Sequence, residues 1–193
     1  MPLSSLSPAQ HKALLRLDMK AARSQFNEIE RARAALALCH ALCPWLEAQK
    51  TARVGVYLAR PFEISLDPFI RVLLQSGVEV CAPRLDLAAQ EMTFWRLPSL
   101  EEVRRGPWSV REPTSGEKCE PTVVLVPSLA LDAQGHRLGT GGGWYDRTLS
   151  SEVLSVGVAF DFQILKEVPT EAHDQNMNFV WSDKRHFDCA RPI

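Results

Sequence analysis

Apolar positions near the start of the chain recur with a helical period. Leu15, Met19, Ala22, Phe26 and Ile29 fall in one narrow stripe at about 100° per residue, and Lys12, Arg16, Lys20 and Arg23 fall in the adjacent one. Ser7-Pro8-Ala9-Gln10 has the form of a capping box with proline at the first helical position. The spacing therefore predicts a helix running toward Phe26 that buries one stripe and presents its positive charges beside it. A second helix is expected over 27–50, kinked or split at Pro44. Beyond it the pattern changes to short, valine-rich apolar runs at 53–58, 78–82, 122–126, 155–160 and, more weakly, 178–181. Runs this continuous suit strands covered on both faces. A helical pattern at 66–75, ended by Gly77, separates the first two runs and makes a strand-helix-strand unit, which argues for a parallel sheet. The predicted fold class is α/β: a single three-layer domain over 1–193, Rossmann-like, with a mainly parallel sheet flanked by helices. Segment 98–121, with four prolines and two glycines, is the longest irregular stretch. It reads as a loop or lid rather than a domain boundary, because no independent apolar core lies on either side.

Composition narrows the function classes. With 193 residues and 46% hydrophobic content the chain can bury one large core. Its 22 basic and 23 acidic residues leave a net charge of -1, which gives no support to nucleic-acid or membrane-surface binding. No stretch approaches the roughly 20 apolar residues of a membrane span, and MPLSSLSPAQ lacks a charged and apolar leader pattern. A cytoplasmic monomer is expected. Five cysteines (Cys39, Cys43, Cys81, Cys119 and Cys189) are scattered without a C-x-x-C pair or histidines at zinc spacing. They read as reduced thiols, with Cys39 and Cys43 one helical turn apart as small buried hydrophobes.

The candidate chemistry centres on RLGTGGGWYDR at 137–147, which follows the apolar run at 123–126 and combines four glycines with two arginines, a tyrosine and an aspartate. Glycines let backbone N–H groups crowd around an anion, and a helix beginning near Trp144 would aim its positive end at the same charge. Arg137 and Arg147 could bond phosphate oxygens, and Asp146 is an oxygen ligand of the kind Mg²⁺ takes beside a triphosphate. Neither G-x-x-x-x-G-K-[ST] nor G-x-G-x-x-G is present. A flexible glycine-rich connection is the plain alternative. Glu63, the glycine loop, and Asp161 with Asp174 each follow a predicted strand, where open α/β sheets place their ligands. Glu63 could equally be the N-terminal acid of the 66–75 helix, the basic stripe a solvated face, Asp174 a loop or cap residue, and His173 a surface residue.

The frame VPSLALDAQGHRLGTGGGWYDRTL at 126–149 resembles the signature of the 5-formyltetrahydrofolate cyclo-ligase family, the methenyltetrahydrofolate synthetases. The similarity continues in order through KALLR at 12–16, VYLARPFEI at 56–64, APRLDLAAQEMTF at 82–94, and VGVAFDFQIL with VPTEAHD within 156–174. The resemblance implies ATP-driven cyclisation of 5-formyltetrahydrofolate to 5,10-methenyltetrahydrofolate, with ATP as co-substrate and Mg²⁺ as cofactor. The formyl oxygen would attack the γ-phosphate, and N10 of the same folate would then expel phosphate from the activated carbon. It further implies an ATP site of Lys12, Arg16, Arg137, Gly139, Thr140, Gly141, Gly142, Gly143, Trp144 and Tyr145. Leu58 and Glu63 would hold the reduced folate, which Thr140 to Trp144 would also touch. Asp146 and Asp174 would ligate magnesium, and Arg137, Tyr145 and Asp146 would be catalytic. No nucleophile is required, and the chain shows neither G-x-S-x-G nor a cysteine or serine beside a base. Trp144 stands where the family usually has tyrosine, Asn178 where aspartate is common, and Trp181 where threonine often follows. Two other readings stay open: a paralogue acting on another small substrate, and a non-catalytic ligand-sensing α/β domain.

Overall fold

The computed structural model describes residues 7–114, 116–172 and 174–189; His173 lies outside them. Ser7 caps α1 (Pro8–Gln25), its side chain accepting from the Gln10 N–H while the Gln10 side chain accepts from Ser7 N–H. Asn27 and Glu30 form the same reciprocal cap for α2 (Glu28–Gln49), which continues unbroken through Pro44. The split expected at Pro44 therefore does not occur: the helix face bearing Leu38, Leu42 and Leu46 is buried on either side of it. Because α1 ends before the Asn27 cap, Ile29 belongs to the first turn of α2 and is exposed. Within α1 the prediction inverts in one respect. The buried residues are Lys12 and Arg23, while Leu15, Met19 and Ala22 are only half covered.

The remaining elements in chain order are β1 (Arg53–Gly55), α3 (Asp67–Ser76), β2 (Glu79–Asp86), β3 (Glu91–Arg96), β4 (Val103–Arg105), β5 (Arg111–Pro113), β6 (Val123–Pro127), β7 (Ala130–Leu131), β8 (Arg137–Leu138), α4 (Trp144–Thr148), β9 (Leu154–Val158), β10 (Phe179–Trp181) and β11 (His186–Asp188). Among the described residues a seven-stranded sheet runs β11-β10-β9-β6-β1-β2-β3. Its interior is parallel, with Val54 opposite both Val80 and Val123, and Leu125 opposite Val156. Both edges are antiparallel.

Alternation along the strands gives two cores. Val54, Val56, Val80, Leu125, Val156 and Val158 pack under α2 and α3, while Val124, Val126 and Val180 pack against α4 and the loops beside it. A smaller cluster of Leu129, Ala130, Leu138 and Val168 receives Leu15 and Met19 of α1. No helix among the described residues is long and apolar enough to cross a membrane.

The sequence reading stopped the second strand at residue 82. The strand instead continues to Asp86, whose side chain accepts from the Ala88 and Ala89 N–H groups in a turn that returns the chain as β3. Segment 98–121 is likewise not wholly irregular, since β4 and β5 form a hairpin tipped by Trp108. Three contacts pin it. Arg84 Nε donates to the Pro113 carbonyl at 2.8 Å, Leu85 N–H donates to buried Glu112 at 2.9 Å, and Arg111 forks onto Asp67 at 2.8 and 3.1 Å. The thiol assignment also needs correction. Cys81 on β2 and Cys119 on the return from the hairpin form a disulfide with Cα atoms 6.3 Å apart, leaving Cys39, Cys43 and Cys189 free. A separation of 38 residues gives no sequence signal of that pairing.

Candidate active site

One pocket of about 1140 Å³ is lined by every site residue that the family resemblance implies: Lys12, Arg16, Leu58, Glu63, Arg137, Gly139, Thr140, Gly141, Gly142, Gly143, Trp144, Tyr145, Asp146 and Asp174. It lies beyond the carboxyl ends of β1 and β6, as a parallel sheet dictates. Asp161 does not join them. Its carboxylate accepts from Arg185 Nε at 2.7 Å and from the Ser182 hydroxyl at 3.0 Å, tying β9 to the end of β10.

The short β7–β8 hairpin delivers Arg137 to the pocket floor, and the glycines then turn the chain into α4. That helix begins at Trp144 as predicted but is only five residues long, so its dipole adds little. Gly143 adopts φ 65°, a conformation open to glycine, which lets the chain reverse directly into the helix. At Gly139 the requirement is space: a Cβ there would stand 2.6 Å from Arg137 Nη1. Arg16 reaches the same loop from α1, its Nε donating to the Gly139 carbonyl at 3.1 Å. Arg137 is buried, its Nη2 donating to Asp146 at 2.6 Å, while its Nε has no hydrogen-bond partner. A buried guanidinium with an unused donor beside a glycine loop is equipped to receive an anion.

Lys12, 3% exposed, donates to Asp174 at 2.5 Å and to Glu171 at 2.8 Å. Burial alone would lower its pKa, but the bonds to Asp174 and Glu171 outweigh that and leave it raised. The sequence reading passed over Glu171, whose N–H also donates to Asp174 at 2.6 Å. The acid three positions before Asp174 was the available signal. Fully buried Asp132 holds this acidic loop against the glycine loop. It accepts from Val168 N–H at 2.9 Å, from His136 N–H at 3.1 Å, and bonds the His136 ring at 2.8 Å.

In the same pocket Glu63 is nearly buried. Its carboxylate accepts from Arg60 N–H at 2.9 Å and from the Arg60 guanidinium at 2.9 and 3.1 Å, with Arg23 3.7 Å away. It does not start α3, where Leu66 occupies the cap and Asp67 supplies the first-turn acid. Tyr57 and Tyr145 flank it, and burial followed by the Glu63 charge pushes both phenols up, so each stays a neutral O–H. Trp108 on the β4–β5 hairpin also lines the pocket, its ring 5.9 Å from that of Trp144.

The chain matches the 5-formyltetrahydrofolate cyclo-ligase family over residues 8–183. It belongs to that family. The 5-formyltetrahydrofolate cyclo-ligase of Mus musculus is 26% identical over 183 residues, covering 86% of this chain and 90% of the mouse protein. That of Escherichia coli K12 is 30% identical over 131 residues, covering 63% and 72%. The solved 5,10-methenyltetrahydrofolate synthetase of Aquifex aeolicus superposes with a TM-score of 0.83 at 28% identity, covering 94% of each chain.

The departures from the cyclo-ligase pattern now have local explanations. Asn178 and Trp181 lie outside the pocket. The Asn178 side-chain oxygen accepts from Ser155 N–H at 2.8 Å and from its hydroxyl at 2.9 Å, joining β9 to β10, and Trp181 stacks on His186 at 4.4 Å. Trp144 keeps an aromatic face at the pocket, with the Arg147 guanidinium 5.0 Å from its ring centroid.

Proposed function

We propose that the protein converts 5-formyltetrahydrofolate to 5,10-methenyltetrahydrofolate at the expense of ATP, releasing ADP and phosphate. The observation that carries this reading is one pocket lined by two chemically distinct sets of residues. Lys12, Arg16, Arg137 and the glycine loop supply positive charge and backbone suited to phosphates. Leu58, Tyr57 and Tyr145 line the same pocket with the Glu63 carboxylate, an acceptor for the N–H edge of a pterin. At about 1140 Å³ the pocket exceeds the roughly 300–1,000 Å³ typical of a site for one drug-sized ligand. Two substrates can therefore meet in it.

The residues divide the work accordingly. Lys12, Arg16 and Arg137 neutralise phosphoryl charge, with the idle Arg137 Nε available to a phosphate oxygen. Tyr145, held as a neutral phenol, serves as a hydrogen-bond donor rather than a base. Leu58 and Glu63 orient the folate so that its formyl oxygen faces the γ-phosphate, and N10 of the same molecule then closes the ring and expels phosphate. The donor set of Asp146 and Asp174, hard oxygens in the phosphate half of the pocket, fits Mg²⁺. Bound there, the ion would draw charge from the phosphate oxygens. Every other requirement is positioning, which matches a site without a nucleophile.

The test is direct. Purified protein mixed with 5-formyltetrahydrofolate, Mg²⁺ and ATP should produce methenyl-product absorbance that depends on both nucleotide and cation. An equal rate without ATP would overturn the reading.

A further inference from the structure

The carboxylates suited to a metal are held by the cations suited to a triphosphate. Lys12 binds Asp174 at 2.5 Å and Glu171 at 2.8 Å; Arg137 binds Asp146 at 2.6 Å. Both cations are buried, at 3% and 5% side-chain exposure, so these are not screened surface pairs. The oxygens of Asp146, Glu171 and Asp174 do not form a trio within 4.8 Å of one another. They are therefore not gathered as a common three-oxygen shell for a cation that bonds oxygen at about 2.0–2.1 Å. A divalent ion arriving alone would meet carboxylates already paired with a buried ammonium and a buried guanidinium, whose positive charges oppose it. A triphosphate removes that obstacle, because its oxygens can take both cations, and Arg137 Nε already lacks a partner.

We propose that the nucleotide assembles the metal site by ion-pair exchange: phosphate oxygens take over Lys12 and Arg137, and the released carboxylates of Asp174, Glu171 and Asp146 receive the divalent cation. Besides receiving the cation, Glu171 orients its neighbours beforehand. It shares Lys12 with Asp174, and its N–H grips Asp174 at 2.6 Å, so both partners are held in register until the phosphates arrive. The proposal rests on the ATP-dependent reading above and adds an order to it. Nucleotide affinity and metal affinity should be coupled, each raising the other by the same factor.

Mn²⁺ serves as the probe, with binding followed by electron paramagnetic resonance of the free ion and by water-proton relaxation. The full-length protein is titrated with and without a non-hydrolysable β,γ-imido analogue of ATP, and Mn²⁺–analogue binding without protein is measured separately. Wild type should bind Mn²⁺ on the order of tenfold more weakly alone than when saturated with analogue, after correction for that separate complex. The analogue should still bind in excess chelator. Lys12→Gln should bind Mn²⁺ alone several-fold more tightly than wild type, because the ammonium charge beside Asp174 and Glu171 is gone. Adding Glu171→Gln to that variant should reverse the gain. Equal Mn²⁺ affinity of wild type with and without bound analogue would overturn the exchange while leaving the ATP reading intact, and this arm needs no variant to fold. An analogue that fails to bind wild type under any condition would overturn both. A folded Lys12→Gln protein with unchanged Mn²⁺ affinity would also refute the exchange.

Discussion

Gly139→Ala is a small perturbation aimed at one guanidinium. The backbone at Gly139 is not in the left-handed region, so alanine brings no conformational penalty of its own, but its Cβ would lie 2.6 Å from Arg137 Nη1. Restoring ordinary contact at about 3.4 Å requires Nη1 to retreat by roughly 0.8 Å. The guanidinium is planar and rigid, so this motion carries Nη2 with it and disturbs the 2.6 Å bond to Asp146. The atom displaced is the far end of a flexible side chain, so little steric strain remains. What is lost is the aim of Arg137. A charge-assisted hydrogen bond contributes about 1.5–3 kcal/mol, and misplacing one of them should weaken ATP binding by about 1–2 kcal/mol, roughly 5- to 30-fold. Calorimetric titration with a non-hydrolysable ATP analogue measures this directly. A parallel folate titration should be unchanged, and the melting temperature should fall by no more than a few degrees. Wild-type analogue affinity in a folded Gly139→Ala protein would refute the assignment of Arg137 to phosphate.

Glu63→Gln places an amide donor against either the Arg60 guanidinium or the Arg60 N–H and leaves Arg23 without its nearby negative charge, so it should lose about 1–3 kcal/mol in stability and in folate affinity while ATP affinity holds. Denaturant unfolding with paired titrations checks it, and undiminished folate affinity would remove Glu63 from the folate site. Asp132→Asn should cost about 1–3 kcal/mol and raise the metal concentration needed for half-maximal rate, because the Val168 N–H that fixes the Glu171–Asp174 loop loses a charged acceptor. A destabilised variant with unchanged metal dependence would make Asp132 purely structural. At Asp161 burial works to raise the pKa, but Arg185 and Ser182 outweigh it and hold the group below its ordinary value. Its contribution to stability is therefore present above the unfolded pKa of about 3.9 and is lost as pH falls through the lower folded value. Asp161→Asn should flatten the acid limb of stability below about pH 4, and an acid limb as steep as that of wild type would count against this pairing.

Elements whose signal is local could be read from the chain. The Ser7 capping box, the valine runs and the Gly77 stop each encode structure within a few residues, and the antiparallel β2–β3 hairpin was missed because its turn lacks the Asn-Gly or Asp-Gly pair that marks a tight one. For the site, every residue carried over from the family pattern does line one pocket, yet their mutual pairing was not legible. Nothing in KALLR says that Lys12 will meet Glu171, or in VYLARPFEI that Arg60 will close on Glu63, because those contacts are set by tertiary approach rather than by spacing. The basic stripe of α1 shows the limit most clearly: its period was right, but two of its charges turned out to be the buried residues of the helix.

The position of α1 has a consequence for how the protein is made. Lys12 finds its partners 159 and 162 positions further along, so α1 leaves the ribosome long before the segment that pairs with it. At about 5–20 residues per second, that interval is roughly 8–30 s. During it α2 and the early strands can already bury their apolar faces, and Leu15 and Met19 can settle on Leu129 and Leu138, whereas Lys12 still lacks both of its acidic partners. A chain ending before Glu171 would thus lack both the acids that pair with Lys12 and the β10 and β11 strands of the sheet.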